Sequence, residues 1–230
     1  MYKDKYRAFT LIELSIVLAL IGLIVAGIVS ARGIIRNAGM YRMMQDVRKY
    51  EMAVITFRDR YSAIPGDMKD ASNFWSTAIN GDGDGLWNHW SYDGAYAWQH
   101  MSFAGILDFA FAAGSASAQD ASNIPTVSYM EGGGFHFSND RFLLFGTSNP
   151  GDRYSGSILT QTEMKRIDEK YDDGFPGSGS LQSGYSRSYG SWGCTCPSSC
   201  DLPFGTAAPS STYPISDLKN CLLYKQMFKY

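Results

Sequence analysis

From Phe9 to Val29 the chain runs for twenty-one residues, "FTLIELSIVLALIGLIVAGIV", with a single charge. As a helix this segment is about 31 Å long, enough to cross the hydrocarbon core of a bilayer. A segment this apolar commits the chain to a membrane or to burial along its whole length. Glu13 is the exception inside it, and a charge near the centre of a membrane helix costs roughly 2.5–3.5 kcal/mol on insertion scales. The eight residues before it carry Lys3, Lys5 and Arg7 against Asp4. That basic leader predicts a cytoplasmic N-terminus, with the remainder of the chain outside.

A secretory signal peptide, with Val29-Ser30-Ala31 as its small-residue cleavage site, and a plain anchor both account for the apolar run. Neither gives Glu13 a role. The combination of a short basic leader, "FTLIEL" and an uninterrupted apolar run resembles the type IV prepilin motif of pilins and type II secretion pseudopilins. The resemblance implies a cut between Ala8 and Phe9 by a prepilin peptidase, N-methylation of Phe9, and retention of the helix in the mature protein. It makes Glu13 the fifth mature residue. The family usually has Gly where this chain has Ala8, and many members have Pro where this chain has Ser30. The resemblance also implies partners: other pilin subunits, in a homo- or hetero-filament, and an inner-membrane assembly platform. In a stack of subunits the N-terminal amine of a neighbour would face Glu13, so the carboxylate is costly alone and paired in the filament.

Past the apolar run, Ile34, Ala38, Tyr41, Met44, Val47, Val54, Phe57 and Tyr61 recur at helical spacing among charged residues. The helix is therefore predicted to continue to "AIPGD", where Pro65 disfavours helix at Ile64. The predicted organisation is a leader at 1–8, a transmembrane or filament-core helix at 9–31, an amphipathic continuation at 32–62, and a head at 63–230. The fold class is α+β, a long N-terminal helix on a small antiparallel sheet, which is the lollipop form of pilins.

In the head, "NGDGDG" alternates Asn80, Asp82 and Asp84 with glycine. Side-chain oxygens at i, i+2 and i+4 can converge on one hard cation, with Asp93 as the next carboxylate. Position twelve of this loop is Ser91, where an EF-hand needs Glu, so a calcium site and a tight acidic turn both remain open. Asp168, Asp172 and Asp173 form a second acidic group, read in preference as a helix end and turn. A helix is predicted over 93–111, and another over 160–171, where Thr160 and Glu163 have capping-box spacing. Val127, Tyr129, Phe135 and Phe137 alternate around "EGGG" as a hairpin, "RFLLFG" reads as a buried strand, and "CLLYKQMFKY" as a returning edge strand.

Four cysteines, Cys194, Cys196, Cys200 and Cys221, sit in or after a long Gly- and Ser-rich stretch. In an exported chain they predict two disulfides. A Cys194–Cys196 bridge would strain disulfide geometry. Two pairings remain, Cys194–Cys200 with Cys196–Cys221, or Cys194–Cys221 with Cys196–Cys200.

His89, His100 and His136 have no spacing suited to a metal triad, and no nucleophile motif surrounds them. No catalytic constellation emerges, and calcium is the single cofactor the sequence suggests. The formal net charge of −2 without a basic stripe argues against a nucleic-acid partner. Two functions from different classes fit: a filament subunit, minor rather than major given the 222 residues left after cleavage of the 230, or an adhesin-like binding module tethered in the membrane.

Overall fold

The structure, a computed structural model, describes residues 10–87, 93–108, 124–130, 132–138, 141–147, 158–175, 178–184 and 219–227, and the statements below concern those residues. Helix α1 (Leu11–Tyr61) is unbroken over 51 residues. It stops at Ser62, which takes a left-handed φ of 53° and donates its N–H to the carbonyl of Arg58 at 2.8 Å. Pro65 follows within three residues and excludes a restart. The chain divides into two units, Met1–Arg42 and Met43–Tyr230.

In the first unit every side chain from Leu11 to Ile35 is exposed. Leu23 is 72% exposed and Ile24 60%. By length and composition this part of α1 can cross a membrane.

In the second unit α1 buries Met43, Met44, Val47, Tyr50, Val54 and Phe57. This stripe is wider than the spacing alone predicts, since Met43 and Tyr50 join it. Ile34 and Tyr41 share its periodicity but belong to the first unit, where both are exposed. After α1 comes a single turn, α2 (Ala71–Phe74). Helix α3 (Asp93–Phe103) ends before its predicted limit. Gly105 takes φ 67°, and the amides of Ile106 and Leu107 turn back to the carbonyl of Met101. A left-handed glycine in that place closes a helix. Residues 109–111 of the predicted helix lie outside the described residues.

The sheet is antiparallel. Its strands are β1 (Gly133–Ser138), β2 (Phe142–Thr147), β3 (Leu159–Thr160), β4 (Leu181–Gly184) and β5 (Lys219–Gln226). Strand β2 pairs with β1, Phe135 opposite Phe145, and with β5, Leu144 opposite Tyr224. Opposite β1 the predicted hairpin has an isolated bridge, Thr126 to Gly134, and no full strand among the described residues. The C-terminal strand is not at an edge. Strand β5 has β2 along one side, and β3 and β4 pair with it as well. Helix α4 (Gln161–Tyr171) carries the capping box read from the sequence, with Thr160 as N-cap and Glu163 reciprocating. Aromatic rings fill the space between α1, α3 and the sheet. Tyr50 meets Trp98 and Phe135 edge-on, each at 4.9 Å between centroids, and Trp98 lies 4.4 Å from Phe137. The result is α+β, a long N-terminal helix with a small antiparallel sheet, consistent with the pilin-like fold.

Candidate functional site

Among the described residues, three places concentrate polar chemistry, one in the first unit and two in the second. The first is the start of α1. The Thr10 N–H donates to Oε2 of Glu13 at 2.9 Å, and the Thr10 hydroxyl donates to the same oxygen at 2.8 Å. In return the Glu13 N–H donates to Thr10 Oγ1 at 3.2 Å. This is a capping box, in which two backbone donors at the helix start are satisfied reciprocally. Its T-x-x-E signature stands in plain sight as Thr10-Leu11-Ile12-Glu13. Glu13 therefore has partners within its own chain. It still carries a full charge, and both bonds fall on a single oxygen. Ala8 and Phe9, the predicted processing pair, lie outside the described residues.

The second place is the loop between α2 and α3. Asp82, Asp84 and Asp93 converge there with Asp67, each offering a carboxylate oxygen within 4.8 Å of the others. Asp67 and Asp93 are buried, whereas Asp82 and Asp84 are exposed. Asp67 organises the loop, its Oδ1 accepting the N–H of Asp84 at 3.0 Å and its Oδ2 that of Gly85 at 2.8 Å. Burial pushes the Asp67 carboxyl up to about 6, the Gly85 amide works against that rise, and Asp82 beside it adds to it. Asn80 is directed elsewhere, since its Oδ1 accepts the N–H of Ser72 at 2.8 Å. Asp67 lies too far upstream for the alternating Asn and Asp spacing to have pointed to it.

Helix α3 holds this loop in place. Gln99 Oε1 accepts the N–H of Ile79 at 3.0 Å, and the carbonyl of Ile79 meets His100 Nε2 at 2.8 Å. His100 Nδ1 accepts the N–H of Gly66 at 2.9 Å, which assigns the proton to Nε2. Trp87 Nε1 donates to the carbonyl of Pro65 at 2.7 Å. His100 is thus a neutral clamp, its pKa lowered by burial with partial relief from the Ile79 carbonyl. Gly66 sits where a Cβ would lie 2.1 Å from the carbonyl oxygen of Asp93. No side chain fits there, so Pro65-Gly66-Asp67 is packed directly on the start of α3. The arrangement presents four carboxylates on a rigid backbone, the donor class that calcium prefers.

Asp168, Asp172 and Asp173 also gather within 4.8 Å. Here the carboxylates serve the backbone: Asp172 Oδ2 accepts the amides of Ser180 and Leu181 at 2.6 and 2.7 Å, and Asp173 takes the Phe175 amide at 2.9 Å. They fasten the end of α4 to β4, in line with the helix-end and turn reading. Cys194, Cys196 and Cys200 lie outside the described residues, and Cys221 contributes its backbone to β5 opposite Leu159. His89 is likewise outside them, while His136 is buried in β1.

An exposed apolar helix opened by a Thr-x-x-Glu cap is thus followed by an α+β unit. Residues 3–29 match the family described as the prokaryotic N-terminal methylation motif, the prepilin-type motif of type IV pilins and pseudopilins. The match covers the N-terminal motif, and it supports a type IV pilin- or pseudopilin-like reading of the chain. Comparisons with curated proteins and with solved structures found no match. The motif implies processing by a prepilin peptidase and assembly with other pilins, and with the apolar helix it fits an inner-membrane anchor before assembly.

Proposed function

We propose that this chain is a structural, minor subunit of a type IV pilus-like filament or type II secretion pseudopilus, assembled from the inner membrane. The observation that carries the reading is the exposed apolar surface of α1 from Leu11 to Ile35, with the Glu13 carboxylate at its head. Lipid covers such a surface in a stored subunit, and the same helices of neighbours cover it in a filament. A subunit of this kind requires the peptidase for its cut at Ala8–Phe9, an inner-membrane platform for extraction, and other pilins as neighbours. The chain then lies outside the inner membrane, in a periplasmic or extracellular filament. Sheared filaments probed with antibody on micrographs test the reading. Labelled fibres support it. Chain exposed on the cell surface but absent from fibres favours the tethered adhesin-like module instead.

Within that role, Asp67, Asp82, Asp84 and Asp93 serve as a calcium site that stiffens the loop. Support comes from the two buried carboxylates in the group and from Asp67, whose carboxyl burial raises and whose neighbour Asp82 raises further. Calcium should raise the melting temperature of the protein at pH 7.5, with a gain of about 2.7 kcal/mol at a hundred times Kd. The gain should shrink below pH 6, where protons compete for Asp67, and vanish in Asp67→Asn. Equal melting curves in calcium and in chelator would remove the site.

A further inference from the structure

Where α1 ends, aromatic side chains from three elements of the second unit meet. Tyr61 closes α1, Phe74 and Trp75 stand at the end of α2, and Phe103 ends α3. Trp75 lies between Phe74 and Phe103, which do not touch each other. Its ring centroid is 5.8 Å from the first, at 41°, and 6.3 Å from the second, at 42°. Tyr61 stands edge-on to Phe74 and Trp75, at 5.5 and 5.2 Å. Toward the core Trp75 meets the buried Phe57 and His100, each at 6.3 Å. Phe74 is nevertheless 56% exposed, and Tyr61, Trp75 and Phe103 are partly exposed.

The backbone that carries the rings is fixed. The Trp75 N–H donates to the carbonyl of Ala71 at 3.0 Å, the Ala78 N–H to that of Trp75 at 2.8 Å, and the Ser72 N–H to Asn80 Oδ1 at 2.8 Å. Arg60 ties α1 to the end of α3, its Nη1 donating to the carbonyl of Ala104 at 3.4 Å. The two α2 rings are bracketed by small polar side chains, in the order Ser72-Asn73-Phe74-Trp75-Ser76-Thr77. Asn73, Ser76 and Thr77 are exposed, and their side chains make no hydrogen bond among the described residues. From Ala71 to Ile79 there is no charged residue. The charges that flank the patch in sequence, Arg60 and Asp70, are opposite in sign.

These features select the chemistry of an occupant. Aromatic rings offer a negative face to weakly polarised C–H bonds. Amide and hydroxyl groups both donate and accept hydrogen bonds. A lipid tail leaves the second set unused, and an anionic polymer finds no excess of positive charge. A sugar ring satisfies both sets, with C–H bonds on its faces, hydroxyls at its rim and no charge. We propose that the row Phe74–Trp75–Phe103, with Asn73, Ser76 and Thr77, binds a neutral glycan chain by stacking its sugar rings on the aromatic side chains. An exposed apolar patch with a polar rim is the usual form of a ligand surface. Rings of few torsions on a fixed turn lose little freedom when a ligand settles on them. The site goes beyond the filament reading and does not depend on it, since the patch lies in the second unit, away from the apolar helix.

The test uses the full chain, purified in a detergent without a sugar headgroup. Saturation-transfer-difference NMR is recorded with cellotetraose and chitotetraose, and with a hyaluronan tetrasaccharide as the anionic control. Titration of tryptophan fluorescence gives Kd. Transfer to the C–H protons of at least one neutral tetrasaccharide is expected, with a Kd insensitive to salt. F74A should weaken that binding about tenfold, through the loss of one stacking ring. N73A/T77A, which keeps every ring, should weaken it several-fold. Both variants should melt as the parent does, because the side chains removed are exposed; if F74A melts well below it, N73A/T77A decides. No transfer to either neutral sugar overturns the site, and if F74A is then also missing from sheared filaments, the patch belongs to a neighbouring subunit. Binding to hyaluronan alone overturns the neutral ligand, and binding unchanged in both variants places the sugar elsewhere. Sedimentation with peptidoglycan sacculi assigns the glycan to the cell's own wall, and sedimentation with chitin or cellulose but not sacculi assigns it to a source outside the cell; both support the site.

Discussion

Glu13 has one role visible in the structure and a second in the proposed filament, and a single substitution can separate them. At position N3 of a capping box it accepts hydrogen bonds from Thr10, and glutamine at that position keeps this ability. In the proposed filament its charge would offer a partner to a neighbour's N-terminal amine, and glutamine loses that. Glu13→Gln and Glu13→Ala should therefore both reach the membrane, the alanine variant more readily by up to roughly 2.5–3.5 kcal/mol. Both should fail to enter sheared filaments, because an amine buried in the fibre without its counter-charge is costly. If the glutamine variant assembles normally and the alanine variant does not, the cap is what matters. His136 poses a different problem at the same scale. It is buried in β1, and among the described residues neither ring nitrogen has a hydrogen-bond partner. Burial lowers its pKa to about 4. Between the unfolded value near 6.5 and about 4, the unfolded chain takes up a proton that the folded chain refuses. Stability should fall as pH drops through that window, by roughly 3 kcal/mol at most, and the slope should end near pH 4. His136→Leu should flatten this dependence in thermal melts recorded across the window. Asp67 works in the opposite direction, since its raised pKa favours the folded state as pH falls below 6.

The acidic loop is the element whose conformation is most tightly determined. Its ends are fixed by side chains of α3, since Gln99 and His100 take both backbone groups of Ile79 and His100 also takes the Gly66 amide. Gly66 adopts φ 88° against the backbone of α3. Gly66→Ala should cost at least about 1–3 kcal/mol, because the clash is with backbone that cannot rotate away. If α3 shifts to make room, the four carboxylates part as well, so any calcium-induced rise in melting temperature should be lost in the same variant. A Gly66→Ala protein that melts as the parent does, with its calcium response intact, would mean that the packing of Gly66 on Asp93 is looser than the structure shows. Helix α4 and β4 show the same principle, the carboxylate of Asp172 holding the amides of Ser180 and Leu181 at the start of β4.

For the whole molecule, the apolar helix and the α+β unit differ in what covers them. The second unit closes its own core with Phe57, Trp98, Phe135 and Phe145, each buried completely. The first unit leaves its leucines and isoleucines exposed. In the proposed function lipid or other subunits cover them, and processing is the step that tests it. Mass spectrometry of protein recovered from the cell surface should find a methylated Phe9 at the N-terminus, and non-reducing peptide mapping of the same sample should find two disulfides among Cys194, Cys196, Cys200 and Cys221. A terminus at Arg32 would make the apolar run a signal peptide and end the filament reading. Four free thiols would leave the filament reading standing and remove the two predicted disulfides.

Local signals carried far in this chain. The apolar run, the Thr10–Glu13 and Thr160–Glu163 caps and the Pro65 stop each act within a few residues, so the extent of α1 and the start of α4 follow from the sequence by itself. The convergence of Asp82 and Asp84 with Asp93 was also open to reading, because a Gly-rich loop bends oxygens of alternate residues to one side. Contacts between distant segments were not legible. Asp67 enters the carboxylate group because α3 pins Gly66 and Ile79 together across long stretches of chain. His100 becomes a clamp instead of a scattered histidine for the same reason. Strand β5 lies inside the sheet, not at its edge, because β2, β3 and β4 each find hydrogen-bond donors and acceptors along it. Hydrophobic periodicity tells a residue which way to face, and tells it nothing about which strand will lie beside it. That choice belongs to the tertiary structure, where backbone pairing and the shape of the aromatic core settle it together.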